Sequence, residues 1–366
     1  MKNTLKLGRV LGTKLEIHWT FLLLIAYVVW SVYSSGGGAN EALLQTGFIF
    51  AIFACVVLHE LGHVQAAKYY NIPTDKITLL PIGGVAAIKQ MPEKPKQELI
   101  VAIAGPLVNL VIAAMLWLVF PVMETFEALA ASEQQAGFTK LSQLPFYLFT
   151  ANLILFTFNL IPAFPMDGGR ILRALLSMKL DRVKATKTAA TTGQVLAVGF
   201  FVIGLMYNPI LALIAIFIFF GARSENLAVK SQQLLEGYEV QDAMSTDYIS
   251  VHPDEPIEDA TRKMVQGPDM DLLVVNSEHE IIGILTREKL IEESKKGERK
   301  DDSVKSIMTK KFKPIKDDIP LSEIYMTLQQ KRNKLFPVTD GNGLKGVINL
   351  NKIQQFIMMR AKGFQY

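Results

Sequence analysis

His59-Glu60-Leu61-Gly62-His63 is the densest cluster of chemistry-bearing side chains in this 366-residue chain. It spells H-E-x-x-H. At helical spacing the two imidazoles lie one turn apart on one face and can share a zinc ion, while Glu60 beside them can take a proton from an attacking water. The motif closes an apolar run, residues 43–66, and ionisable groups inside such a run are costly unless they serve a function. The bland alternative buries a carboxylate and two imidazoles with nothing to offset the cost. A catalytic zinc takes three protein ligands and keeps one position open. The candidate third ligand is Asp167, in Asn159-Leu-Ile-Pro-Ala-Phe-Pro-Met-Asp-Gly-Gly-Arg170 at the end of another apolar run. Alone, Asp167 would read as a helix cap with Gly168 and Gly169 as the turn. Beside H-E-x-x-H it reads as a ligand, and one zinc per chain is expected.

These residues need a scaffold, and composition shows where it lies. Half of the chain is hydrophobic and a fifth is charged, which excludes a disordered, collagen-like or disulfide-stapled secreted protein. The single cysteine, Cys55, excludes an internal disulfide and a cysteine-built cluster. Residues 1–230 hold 18 Lys+Arg against 12 Asp+Glu, whereas residues 231–366 hold 20 against 22. The apolar half divides into runs near 18–34, 43–66, 98–120, 145–165, 189–207 and 209–224. Each is close to the ~20 residues that a helix needs to cross the hydrocarbon core. Tyr207-Asn208-Pro209 reads as a tight turn between the last two. Lys and Arg concentrate in the N-terminal tail and after the second, fourth and sixth runs, while the alternate loops hold only Lys140. The positive-inside rule then gives six spans with both termini cytoplasmic, in a multi-pass protein of the cell membrane. No cleavable signal is expected, because the first run lacks a small-residue cleavage site before the next hydrophilic stretch.

Between the second and third runs, Ile77-Thr-Leu-Leu-Pro-Ile-Gly-Gly-Val-Ala-Ala-Ile88 is apolar, β-prone and broken by Pro81, Gly83 and Gly84. Non-helical backbone survives near a membrane only where protein or a cavity satisfies it, so a small interfacial sheet or hairpin is expected. It is either purely structural or an edge at which Gly83, Gly84 and Val85 pair with an extended substrate. Cys55 reads as a small buried hydrophobe, or as a thiol approaching the metal. His18-Trp19 reads as an interfacial anchor, Asn109 as an interhelical hydrogen bond, and Gly105, Ala113 and Ala114 as close packing.

Taken together, the H-E-x-x-H segment and Asn159…Pro162…Asp167-Gly168 resemble the site-2 protease family of intramembrane metalloproteases, in the prokaryotic form that carries CBS domains at its C-terminus. Ala104-Gly-Pro-Leu-Val-Asn109 and Ile17-His18-Trp19 resemble it more weakly. The resemblance implies zinc on His59, His63 and Asp167, Glu60 as general acid/base, and Asn159 near the substrate or oxyanion. It also implies hydrolysis of a peptide bond in or near a transmembrane segment of a membrane-spanning protein substrate, which must first unwind. Met166 stands where many members have leucine, an exchange that barely changes volume.

From about residue 231 the chain turns polar and self-similar. Asp242-Ala-Met244-Ser-Thr echoes Lys305-Ser-Ile-Met308-Thr, Leu272-Leu-Val-Val275 echoes Leu335-Phe-Pro-Val338, and Ile282-Gly-Ile-Leu-Thr286 echoes Lys345-Gly-Val-Ile-Asn349. Offsets of 63–64 residues mark two copies of one α/β unit, and the pair resembles tandem CBS domains. The expected fold is therefore a polytopic α-helical membrane protein, six transmembrane helices with a small interfacial β segment, plus a cytosolic α/β tandem CBS domain. Its expected divisions are 1–224, a linker at 225–238, and repeats at 239–299 and 300–366. The resemblance implies an adenine nucleotide as ligand. The positions of the usual ribose carboxylate hold Lys289 and Lys352, however, so nucleotide binding stays open beside homodimerisation, regulation and substrate docking. No nucleic-acid partner is expected, since topology already explains the basic residues. One alternative of another class remains: a transporter or channel gated by the CBS pair, with His59 and Asp167 on an ion path and Glu60 as a proton site. Such a path would thread polar residues through whole spans, and the outer halves here hold almost none.

Overall fold

The computed structural model describes residues 4–72, 74–81, 83–88, 92, 94–130, 138, 140–267, 271–278, 280–294, 302–330, 335–341, 343–361 and 363. They divide into two compact units, Met1–Leu227 and Ala228–Tyr366. In chain order the first unit runs β1 (Thr4–Val10), β2 (Thr13–His18), α1 (Thr20–Ser34), α2 (Ala39–Tyr69), β3 (Thr74–Leu80), β4 (Gly83–Ile88), α3 (Pro95–Val119), α4 (Val122–Ala130), α5 (Leu144–Asn159), α6 (Asp167–Ser177), α7 (Arg182–Tyr207) and most of α8 (Pro209–Leu234), whose last turns from Ala228 are assigned to the second unit.

Helices α2, α3, α7 and α8, and α5 with the 3-10 turn before it, are long and apolar enough to cross a membrane. Their outward faces carry exposed apolar side chains such as Leu118, Val195, Leu205 and Leu213, as lipid-facing surfaces do. The first apolar run forms a shorter helix than the other five. α1 has 15 residues, about 22 Å at 1.5 Å per residue, because β2 occupies the chain up to His18 and Gly36 (φ 84°) turns it beyond Ser35. Conversely, α7 begins at Arg182, well before the apolar run at 189. Asp181 caps it, its carboxylate accepting from the Lys184 N–H at 2.9 Å, and Arg182, Lys184 and Lys187 keep that first turn out of any hydropathy signal. The turn at Asn208 is as expected, its Oδ1 accepting from the Ile210 N–H at 3.0 Å. Helix α4 lies in a stretch that the apolar pattern leaves as loop.

The expected hairpin is half of a larger sheet. β3 and β4 pair antiparallel, β2 pairs parallel with β3, and β1 pairs antiparallel with β2, in the order β1-β2-β3-β4. β1 and β4 are therefore the edges. Leu15 lies beside Ile77 and Ile17 beside Leu79, and these residues pack with Phe21, Phe53, Leu61 and Val64. The sheet thus covers one flank of α2 and leaves the flank with His59 and His63 to the other helices. The Lys68 ammonium, from the last turn of α2, donates to the Leu11 carbonyl at the β1–β2 turn. On the outer face Glu16 accepts from Lys76 Nζ at 2.8 Å and from Thr4 Oγ1 at 3.1 Å.

The second unit holds α9 (Val240–Ala243), β5 (Ser250–Val251), α10 (Ile257–Gln266), β6 (Asp271–Val275), β7 (Ile281–Thr286), α11 (Arg287–Ser294), α12 (Val304–Ile307), β8 (Ile315–Lys316), α13 (Leu321–Gln330), β9 (Phe336–Thr339), β10 (Leu344–Ile348) and α14 (Leu350–Ala361). Two three-stranded sheets, β5-β6-β7 and β8-β9-β10, repeat one pattern. The repeats interlock. Val240 and Ala243 of α9 are buried with Leu321, Val338 and Ile348, whereas Val304 and Ile307 of α12 are buried with Leu272, Val274 and Leu285. Each lead-in helix thus completes the core of the other copy. The backbone does likewise, with bridges Ser245 to Val347 and Ile284 to Thr309. Lys289 and Lys352 donate their backbone N–H groups to Thr286 Oγ1 (3.4 Å) and Asn349 Oδ1 (2.9 Å), which cap α11 and α14. Much of the charged stretch Glu292–Ser303, residues 295–301, lies outside the described residues.

A buried ion cluster ties the helices of the first unit. Arg173 of α6, 1% exposed, donates to Glu98 of α3 at 2.7 Å and to Glu225 of α8 at 2.6 Å, and Arg182 of α7 lies 3.8 Å from Glu98. Arg173→Met strands two carboxylates and should destabilise the first unit by about 3–5 kcal/mol, whereas Arg173→Met with Glu98→Leu and Glu225→Gln should recover much of the loss; thermal unfolding in detergent measures both. Glu16 is held below the usual carboxylate range, chiefly by the hydrogen bond from Lys76. A depressed folded value means that its contribution is complete above the ordinary carboxylate value and is lost as pH falls through the folded one. The unfolding midpoint of the wild type should exceed that of Glu16→Gln at pH 7, and the gap should close on acidification.

Candidate metal centre

The ligand-type atoms of His59, His63 and Asp167 converge although the sequence separates Asp167 from His63 by 104 positions. All three side chains are buried, at 7%, 3% and 6% exposure. His63 Nε2 lies 3.1 Å from His59 Nε2 and 3.1 Å from Asp167 Oδ2, and His59 Nε2 lies 3.3 Å from that same oxygen. A tetrahedral ion with bonds of about 2.0–2.1 Å sets its ligand atoms about 3.3–3.4 Å apart. The triangle therefore fits one zinc ion. Its chemistry fits too, since two imidazoles and a carboxylate are a zinc donor set.

The far ring nitrogens account for how the imidazoles face inward. His63 Nδ1 is 2.7 Å from the Val101 carbonyl, and His59 Nδ1 is 2.5 Å from Asn109 Oδ1. A carbonyl oxygen can only accept, so in each ring Nδ1 carries the proton and Nε2 offers its lone pair to the centre. The other oxygen of Asp167, Oδ1, faces Arg170 at 3.8 Å.

Glycine makes the approach of α3 possible. A Cβ on Gly105 would stand 2.8 Å from His59 Nε2 and would collide with His63 Nε2, so the backbone of α3 forms one wall of the centre. The Gly168-Gly169 pair lies in the first turn of α6. A Cβ on Gly169 would meet Phe164 N at 2.5 Å and Ala163 C at 2.6 Å, and one on Gly168 would strike the Leu160–Ile161 backbone. The segment 160–166 can therefore fold back against the first turn of the helix that carries Asp167.

Glu60 is half-buried beside the two histidines on α2, and among the described residues its carboxylate has no hydrogen-bond or ion-pair partner. Asn159, half-buried at the end of α5, donates through Nδ2 to the Leu155 carbonyl of its own helix at 2.9 Å. Gly83, Gly84 and Val85 lie on edge strand β4, paired with Leu80, Leu79 and Thr78; the Val85 side chain lies outside what is described. Cys55 is buried, and its Sγ accepts from Asn152 Nδ2 at 3.3 Å. Three contributors escaped the sequence reading: the Val101 carbonyl, Asn152 and the Arg173 cluster. Only the last two left a trace, as lone polar or charged residues among apolar ones.

The chain is similar to known zinc metalloproteases. Residues 47–202 match the model of peptidase family M50, and residues 240–296 and 304–358 match the CBS domain model. The zinc metalloprotease MJ0392 of Methanocaldococcus jannaschii is 32% identical over 354 residues, 96% of each chain. The putative zinc metalloprotease Rip3 of Mycobacterium tuberculosis is 32% identical over 286 residues, 73% of this chain and 70% of the relative. Among solved structures, the site-2 protease from Methanocaldococcus jannaschii shares 38% identity, covering 61% of this chain and 95% of that one, with a TM-score of 0.44.

Gly105→Ala should cut bound zinc by at least about tenfold, because the new methyl group displaces both imidazoles. Metal analysis of the purified protein checks this, with Ala113→Gly on the same helix as the control that keeps its zinc.

Proposed function

This chain belongs to peptidase family M50, as a site-2-type zinc metalloprotease with a tandem CBS pair, and we propose which of its residues carry the intramembrane cleavage. His59, His63 and Asp167 hold the zinc ion, Glu60 is the general acid/base, and Asn159 stands near the substrate or oxyanion. The observation that carries this reading is the triangle of ligand atoms at 3.1–3.3 Å, drawn from two elements and buried in apolar surroundings. Family membership removes the CBS-gated transporter as an alternative.

Zinc held there supplies Lewis acidity toward water and the scissile carbonyl. Everything else falls to the chain. Glu60 takes a proton from the attacking water as the new C–O bond forms, and returns it to the amine nitrogen as the C–N bond breaks. The Asn109 and Val101 oxygens keep both rings in the required tautomer. The substrate is a membrane-spanning protein, and its helix must unwind near the cleaved bond because a helical carbonyl is engaged by its own backbone. Edge strand β4 is the surface on which an unwound segment would pair, Gly83, Gly84 and Val85 contributing main-chain groups and so indifferent to sequence.

Lys and Arg in alternate loops support cytoplasmic termini and a location in the cell membrane, with the centre toward the cytoplasmic leaflet. The CBS pair regulates cleavage, engages the soluble part of the substrate or joins two chains. Its ligand class is adenine nucleotides, although Lys289 and Lys352 take the place of the usual carboxylates.

One set of variants tests the assignment. Wild type should hold about one zinc per chain, Glu60→Gln should keep it, and Asp167→Ala should lose it. In a cleavage assay with a transmembrane substrate, chelator, Glu60→Gln and Asp167→Ala should each abolish product, and Gly83→Pro with Gly84→Pro should do so while leaving zinc in place. A Glu60→Gln protein that still cleaves would remove the general-base role.

A further inference from the structure

Asn152 sits in α5, in an otherwise apolar stretch, and is fully buried at 0% exposure, as is Asn109 in α3. Their side chains form a directed line. Asn152 Nδ2 donates to the Leu148 carbonyl at 2.8 Å, Asn109 Nδ2 donates to Asn152 Oδ1 at 2.8 Å, and Asn109 Oδ1 meets His59 Nδ1 at 2.5 Å.

The direction is not free. The Leu148 carbonyl can only accept, so the Asn152 amide must turn its NH2 toward it and its oxygen toward Asn109. Asn109 then has to present its own NH2 to Asn152, which leaves its oxygen for His59. Facing an acceptor, His59 must carry its proton on Nδ1. Each reversal would set two oxygens or two donors against each other among buried side chains, where unmatched polar groups are most costly.

We propose that Asn152 is a positioning residue that fixes, through Asn109, which nitrogen of His59 is free for the metal. It touches neither metal nor substrate. Without it, the Asn109 amide can rotate and offer its NH2 to His59, which drives the proton to Nε2, the atom aimed at the centre. His63 provides a built-in comparison: its Nδ1 faces the Val101 carbonyl, which cannot rotate. The proposal rests on His59 being a zinc ligand.

The test uses the full chain labelled with 15N-histidine in detergent, metal-free, where imidazole nitrogen shifts separate the two tautomers, together with zinc affinity measured against a competing chelator. The variants are Asn152→Leu, which removes the line, and Asn152→Thr, whose hydroxyl can donate to Leu148 and still accept from Asn109. Wild type and Asn152→Thr should show His59 as the Nδ1–H form alone. Asn152→Leu should show a mixture at His59, leave His63 unchanged, and bind zinc about 10–100-fold more weakly. Should Asn152→Leu fail to fold, Asn152→Ala, which likewise offers Asn109 no acceptor, takes its place with the same expected mixture. The proposal is overturned by a pure Nδ1–H form at His59 in these variants, or by equal disturbance of His59 and His63, which would mark a general loss of packing. A wild type that binds no zinc would sink the metal assignment separately, because the tautomer is read without metal.

Discussion

The centre depends on one constraint: a polar group enclosed by apolar helices must find its partner within the protein. Two imidazoles and a carboxylate meet that constraint only as a set. Each ring nitrogen pointing away from the centre is bonded to an oxygen on α3, so each nitrogen pointing inward is a lone pair. The same demand explains the Arg173 cluster. Glu98, only 1% exposed, is matched by a guanidinium that also reaches Glu225, and α3, α6 and α8 are joined where charge would otherwise forbid them to meet.

The H-E-x-x-H motif was legible because its information is local. Helical spacing alone puts His59 and His63 on one face, and an apolar run makes the ionisable residues conspicuous. Asp167 needed a second argument, the need for a third ligand. Nothing local, however, says which acceptor a ring nitrogen will find. Asn109 is 50 positions from His59, and Asn152 is 43 from Asn109, so neither pairing has a period to betray it. The N-terminal strands were hidden for a related reason. β1 is largely exposed and β2 pairs with β3, some 60 residues later, and a tail rich in Lys reads as topology first.

In the second unit the repeat was plain in the sequence and its packing was not. Similarity at offsets of 63–64 residues identifies equivalent positions, yet equivalent lead-in helices close each other's cores. A boundary drawn between the copies by sequence therefore divides what the core joins. Helix ends differed from the apolar runs for simpler reasons. A capped, basic first turn extends α7 toward the aqueous side, and strand β2 and glycine confine α1, which hydropathy does not register.

An ion held by His59, His63 and Asp167 would also act as a covalent-like tie. His63 and Asp167 are 104 positions apart, so their joint bond to one ion would close a long loop in the unfolded chain and favour the folded one. Metal and fold would then be thermodynamically linked: free zinc concentration would set not only how many molecules can react but how firmly α2 and α6 are held together.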